Sequence, residues 1–306
     1  MRQIGIEEIK KSLRTKWLGQ NMIYLEETDS TNEQVRLLAC EGAANGTIVV
    51  ADRQTAGRGR RGRNWESPAG RNLYFSLLLR PQLPVEKVSM LTLVMAHAVA
   101  VTVQEILADA ANTASLTEKT ASLTGQTENR TDARTSMNLG IKWPNDIVID
   151  GKKVCGILTE LRMEKAGSLQ SSKQSTEQEY YVIVGVGINV QKQAFSEELW
   201  DKATDLETVS GYKIDRNRIL AELLNIFEKH YEEFCKAGDL SVLREQYEEL
   251  LVNKGREVCV LEPAGEWKGV AEGITDTGEL VLALPDGSTK QVYAGEVSVR
   301  GVYGYV

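Results

Sequence analysis

The chain has little material for histidine or thiol chemistry. Its 306 residues include two histidines, His97 and His230, each in an apolar helical pattern. Both read as structural, which leaves a Ser-His-Asp relay or a histidine-ligated metal without the residues it needs. The four cysteines, Cys40, Cys155, Cys235 and Cys259, are scattered and form no C-x-x-C pair. A zinc site or a disulfide framework is therefore not expected, and a reduced, cytoplasmic setting fits. Cys155 lies among apolar neighbours and reads as a small core residue. No apolar run reaches eighteen residues, so no membrane span is expected. The N-terminal MRQIGIEEIKKSLRTKW has no apolar core of the kind a signal peptide carries. Positive charge is not in excess either. A net charge of −7 argues against a general nucleic-acid-binding surface.

What is present is ordinary globular material. A hydrophobic fraction of 42% supports a sizeable core, and the length suits one large domain with a small appendage. Residues 1–20 read as a short helix and lead-in. In STNEQVRLLACEG, Ser30, Glu33 and Gly42 have the spacing of a capping box and a C′ glycine around a short helix. Strands are expected at 46–53 and 72–80, and a helix from Glu86 to Asp109. Residues 109–138 and 163–179 are polar and read as surface insertions, the first of them flexible. Asp150-Gly151 signals a hairpin between two strands, and 180–190 reads as another strand. Helices are expected at about 196–208, 215–236 and 239–252. From Gly255 onward, short strands with turns at DTG and PDG read as a small β-barrel. The fold class is α+β: a mixed sheet flanked by helices over 21–252, then an all-β unit over 253–306.

The segment TAGRGRRGRNW carries Gly57, Gly59 and Gly62 in a G-x-G-x-x-G pattern. A dinucleotide-binding turn must open a helix, and Pro68 and Gly70 forbid one there. The match is therefore fortuitous. Its charge is another matter. Seven arginines and one acid, Glu66, lie between Arg53 and Arg80. Glycines let backbone N–H groups converge on an anion, and arginines add bidentate contacts to phosphate or carboxylate. On these residues alone the loop is either a solvated basic loop or a grip on an anion. A small ligand suits it better than nucleic acid, which would spread the charge and interleave aromatics. Trp65 is either a cover over that ligand or a core anchor for the loop.

GRGRRGRNW, SPAGRNLYFSLLL, KWPNDIVIDGKKVCGIL and VGVGINV occur in that order, with DSTN upstream and an all-β tail downstream. Together they closely resemble the biotin–protein ligase family, over about Leu25 to Val306. The resemblance implies a class II synthetase-like, biotin–lipoate ligase-like catalytic sheet followed by an SH3-like barrel. It implies formation of biotinyl-5′-adenylate from biotin and ATP, then transfer of biotin to one lysine of a carboxyl carrier domain of acetyl-CoA carboxylase or a related carboxylase. By the same resemblance Ser30, Thr31, Asn32 and Gln54 line the biotin pocket. Arg58, Gly59 and Arg60 form the loop core that closes over biotin and the adenylate phosphate, and Arg61, Arg63 and Trp65 face ATP. Lys153 lies inward, at the biotin carboxylate and later the acyl phosphate. Lys142, Asn145 and Asp146 serve the nucleotide, its metal-bound phosphates or the incoming lysine, and Asn189 recognises adenine. Lys153, Arg58, Arg60, Lys142 and Asp146 make up the implied catalytic set. Mg²⁺ is expected to arrive with ATP, near Asp146, with no tightly bound metal.

Neither a nucleic acid nor a membrane is expected as partner, while relatives often pair sheets edge to edge as homodimers. Many members carry an N-terminal helix-turn-helix. About twenty residues precede YLEETDSTN here, so a ligase without DNA binding, or a truncated one, is expected. Lipoate or octanoate ligases share the sheet but usually lack so dense an arginine–glycine loop. The loop is expected to be mobile without ligand.

Overall fold

A computed structural model describes residues 4–123, 137–164, 180–262, 265–294 and 298–301. The larger sheet contains β1 (Met22–Thr28), β2 (Ile48–Gln54), β3 (Leu73–Leu79), β4 (Leu139–Lys142), β5 (Asp146–Ile149), β6 (Lys152–Met163) and β7 (Tyr180–Ile188). Their spatial order is β1-β2-β3-β7-β6-β5-β4. Only β1 and β2 pair in parallel, joined by helix α2 (Thr31–Cys40), and every other pairing is antiparallel. The sheet is thus mixed.

Alternation along β7 divides its two faces. Val182, Val184, Val186 and Ile188 enter the main core. Tyr181 and Ile183 join a smaller cluster with Val35 and Ala39 of α2. The main core lies under α3 (Met90–Leu123) and α5 (Arg216–Ala237), which pack on each other. The stretch Val85–Thr113 is long and apolar enough by composition to cross a membrane, with mean hydropathy 1.7 in its most apolar window. That window is 83% buried inside the protein, so this is its central core helix.

The remaining helices are α1 (Ile6–Ser12), α4 (Leu206–Ser210) and α6 (Arg244–Glu249). A second, antiparallel sheet runs β11-β10-β9-β8-β12, with β8 (Glu257–Glu262), β9 (Gly265–Ile274), β10 (Leu280–Ala283), β11 (Thr289–Val292) and β12 (Ser298–Gly301). Its inward residues, among them Val260, Ala271, Leu280 and Val299, belong to the same apolar core as the larger sheet.

Turn chemistry works as the sequence suggests. Asp150 and Gly151 both have positive φ, 49° and 78°, the mirror-image turn that matches strand twist. At the end of α2, Gly42 has φ 86°, and Ala43 N–H reaches the Leu38 carbonyl at 2.9 Å. That closes a Schellman motif.

Three expectations need correction. The capping box is not formed: Ser30 occupies the N-cap, but its side chain makes no cap hydrogen bond. Glu33, which should reach back, is instead held by Arg36 at 2.6 Å. The helix expected at 196–208 shrinks to Leu206–Ser210, and that at 239–252 to Arg244–Glu249. Finally, the insertion expected at 109–138 begins as a continuation of α3 to Leu123. Residues 124–136 and 165–179 lie outside the described residues.

Candidate active site

One face of the central strands has been stripped of Cβ atoms. Gly187 of β7 stands in register with Gly156 of β6. A Cβ on Gly187 would lie 2.6 Å from the Trp65 indole, and one on Gly156 2.8 Å from it. Two residues along, Gly185 is covered by the Asn32 side chain. These close approaches require glycine. Trp65 therefore rests on the sheet, and its Nε1 is buried with no hydrogen-bond partner among the described residues. It anchors the arginine loop on a strip that also lines a cavity.

The start of α2 brings Ser30, Thr31 and Asn32 to this face, all buried. The Thr31 hydroxyl and backbone N–H both meet Gln54 Oε1, at 3.1 and 2.8 Å. Ser76 Oγ, in the middle of β3, lies 2.7 Å from the Thr31 hydroxyl and 2.5 Å from Asn32 Oδ1. Asn32 Nδ2 donates to Glu160 at 2.8 Å.

Across the slot, the loop folds back on itself. Trp65 N–H donates to the Gly57 carbonyl at 2.9 Å, and Gly59 N–H to the Arg63 carbonyl at 2.7 Å. Arg61 and Gly62 turn the chain with φ 58° and 73°. No α-helix follows, so the dinucleotide reading is excluded on the structure as well. Arg60 reaches out of the loop to Asn145 Oδ1 at 2.8 Å. Burial pushes the Arg60 pKa down, Asp146 opposes this, and Arg61 and Arg63 add to it. A guanidinium so placed is stabilised by an anion. Arg58 faces Glu33 at 3.9 Å, and Arg61 and Arg63 make no ion pair among the described residues.

The KWPND segment is the turn between β4 and β5, with Lys142 and Asp146 as the closing pair and a cis Trp143–Pro144 bond. Asn145 is fixed by donating to the Ile157 carbonyl and to Asp146, both at 3.1 Å. Lys142 is buried. Of the two lysines opening β6, Lys152 is exposed. Lys153 points inward, 2.6 Å from Asp146 and 5.2 Å above the Trp65 ring. Its backbone also seizes the segment after 196: Lys153 N–H donates to the Lys202 carbonyl, and Thr204 N–H donates back to the Lys153 carbonyl. Asn189 is buried at the end of β7, with Nδ2 on the Thr204 carbonyl at 3.1 Å.

Two cavities result. The smaller, about 50 Å³, is lined by Ser30, Thr31, Asn32, Gln54 and Arg58. The larger, about 770 Å³, is lined by Arg61, Arg63, Lys142, Asp146 and Asn189, and by Val299 from the second sheet. Five residues line both: Gly59, Arg60, Trp65, Asn145 and Lys153. Every residue that the resemblance assigned to biotin, ATP or catalysis lies on one cavity or the other. Sequence reasoning missed Ser76, Glu160, Ser67 and the 196–203 segment. Among the described residues no group of three or more His, Cys, Asp or Glu could hold a metal ion. His97 and His230 are far from this chemistry in kind: both are buried in the core, their rings tilted against each other with centroids 4.8 Å apart. Cys155 is fully buried, and burial pushes its thiol well up.

Comparison with known proteins follows the same division. A profile of the Biotin/lipoate A/B protein ligase family matches residues 24–189, and one of the Biotin protein ligase C terminal domain matches residues 255–300. The Bifunctional ligase/repressor BirA of Bacillus spizizenii is 36% identical, over 97% of this chain and 79% of that protein. The Biotin--[acetyl-CoA-carboxylase] ligase of Mycobacterium tuberculosis is 30% identical over 94% of each. The biotin protein ligase from Aquifex aeolicus, solved in complex with biotin and ATP, superposes with a TM-score of 0.67 at 29% identity, covering 92% of this chain and 99% of that one.

Proposed function

The chain belongs to the biotin/lipoate A/B protein ligase family, and from that premise we propose that it is an ATP-dependent biotin–protein ligase acting through a biotinyl-5′-adenylate. The observation that carries this reading is the shared wall. A small polar slot and a large basic cavity meet at Arg60, Asn145 and Lys153. Two ligands held there would have their reactive ends brought together.

In the first step a biotin carboxylate oxygen attacks the α-phosphorus of ATP, and pyrophosphate leaves. Negative charge builds on the phosphate oxygens. Arg60, beside Asn145, and Lys153, beside Asp146, would stabilise it once the loop has closed over both ligands. In the second step a lysine amine of the carrier attacks the acyl carbon and AMP leaves. The carrier is a biotin carboxyl carrier domain, of acetyl-CoA carboxylase or a related enzyme.

Mg²⁺ fits as a companion of the nucleotide. Among the described residues there is no ligand cluster of its own, and Mg²⁺ is commonly held by phosphate oxygens, water and one or two carboxylates. Asp146 is the carboxylate nearest Lys153. Asn189 is assigned to adenine, and a cytoplasmic setting belongs to the same reading.

The test is ATP–pyrophosphate exchange with biotin, lipoate or octanoate supplied separately. Exchange is expected with biotin alone. Exchange driven by lipoate or octanoate in its place would overturn the assignment.

A further inference from the structure

Gln54 closes β2 and stands at the base of the arginine loop. Its Oε1 accepts from the Thr31 backbone N–H at 2.8 Å. A backbone N–H can only donate, so the amide is fixed with oxygen toward α2 and nitrogen toward the loop. Its Nε2 then lies 3.0 Å from Ser67 Oγ. Ser67 Oγ in turn lies 3.1 Å from the Trp65 carbonyl, which can only accept. The Ser67 proton is thereby committed to Trp65, and its lone pairs face Gln54. Ser67 is 8% exposed.

The surrounding backbone holds this arrangement. Gln54 N–H donates to the Ser67 carbonyl at 3.3 Å, beside the Trp65 to Gly57 bond that closes the loop. Gly57 is packed on the same atoms. A Cβ there would lie 2.5 Å from the Trp65 carbonyl oxygen, 2.7 Å from Ser67 Oγ and 3.2 Å from Gln54 Nε2. Any side chain at 57 would force Ser67 off Gln54. The second Nε2 hydrogen of Gln54 has no protein acceptor among the described residues, and Gln54 lines the small cavity.

We propose that Ser67 is a positioning residue for ligand binding. It holds the Gln54 amide so that one N–H stays available to the slot, and it ties that recognition to closure of the loop base. The group met by Gln54 must then be a hydrogen-bond acceptor. The inference rests on the reading that the small cavity takes biotin, whose ureido carbonyl is such an acceptor.

The experiment measures biotin dissociation constants by calorimetry for the unaltered chain, Ser67→Ala, Gln54→Ala and the double variant, with kcat at saturating biotin for Ser67→Ala. Ser67→Ala should weaken biotin about three- to tenfold, the net worth of one hydrogen bond, with kcat unchanged. In the double variant the serine change should add nothing to the loss from Gln54→Ala, since the two act through one contact. Ser67→Cys keeps the shape with a weaker acceptor and should shift affinity in the same direction. An unchanged dissociation constant in both serine variants, or losses that multiply in the double variant, would overturn the role of Ser67 while leaving the cavity assignment intact. Failure of the unaltered chain to bind biotin at all would sink the cavity assignment itself.

Discussion

At the scale of single residues, Lys152 and Lys153 are the sharpest contrast. They are chemically identical and adjacent, yet one is solvated and the other lies 2.6 Å from Asp146 on the wall shared by both cavities. Lys153→Ala should lower the rate of biotin-dependent pyrophosphate exchange by about 10²–10³-fold, the usual cost of a lost charge at a reacting oxyanion. Lys152→Ala should stay within about twofold, as a surface change away from the chemistry. Equal rates for the two would dismiss Lys153 from the reaction. Strand alternation alone says that only one of them faces inward, and the resemblance says which. Other site residues left a fainter trace. Ser76 is the one small polar side chain in the buried strand LYFSLLL, a signal of a hydrogen-bonding duty inside an apolar run. Glu160 and Ser67 left none, because their partners Asn32 and Gln54 are 128 and 13 positions away.

At the scale of elements, the arginine loop decides access. With the loop folded as described, the slot beneath it measures about 50 Å³, room for only a few waters. A bicyclic ligand requires Trp65 to leave the glycine strip, or at least to shift along it. The segment Arg58–Trp65 should therefore open in the free protein and settle once an anion relieves the repulsion around Arg60. Limited proteolysis within 58–65 should be suppressed by biotin plus ATP. Arg60→Gly should bind biotin more weakly and leak adenylate, which would label lysines on a bystander protein. Nicking that ignores ligand, together with a clean bystander, would make the loop a rigid anion nest instead. The elements most legible in the sequence were those with local signals: the Asp150-Gly151 turn, the Gly42 stop, the alternation of β7. The helix expected at 196–208 failed because a tertiary contact won. Its backbone pairs with Lys153, and helix propensity is too weak a preference to resist that. At 109–123 the error ran the other way. The helix expected to end at Asp109 instead continues through the alanines and threonines to Leu123.

At the scale of the whole molecule, the two sheets share one core, and the second sheet reaches the site. Trp143, within KWPND, donates its indole N–H to the Gly278 carbonyl, between β9 and β10, at 3.0 Å. Deleting 255–306 should therefore abolish adenylate formation as well as carrier transfer, because it unseats the turn that holds Lys142 and Asp146. A shortened chain that still exchanges pyrophosphate would separate the two units. Stability of the whole has its own pH signature, set by the one histidine pair. His97 on α3 and His230 on α5 meet with ring centroids 4.8 Å apart, and neither Nδ1 has a partner among the described residues. Burial lowers both to about pKa 4, and for His230 the neighbouring His97 adds to the effect. In the unfolded chain each returns to about 6.5. Between those values the unfolded state binds more protons, so folding stability rises with pH across this window and is lost as pH falls through it. Between pH 7.5 and 5.5 the loss should be about 1.3 kcal/mol per ring. Carboxylates held below their ordinary range, such as Glu33 and Glu248, lose their contribution mainly at lower pH, so this window isolates the imidazoles. Urea unfolding midpoints at the two pH values check the point, with the double variant His97→Leu/His230→Leu as reference. The unaltered chain should lose about 2.7 kcal/mol more than the variant over the same interval. Parallel losses in the two proteins would mean that the rings are not held neutral in the core.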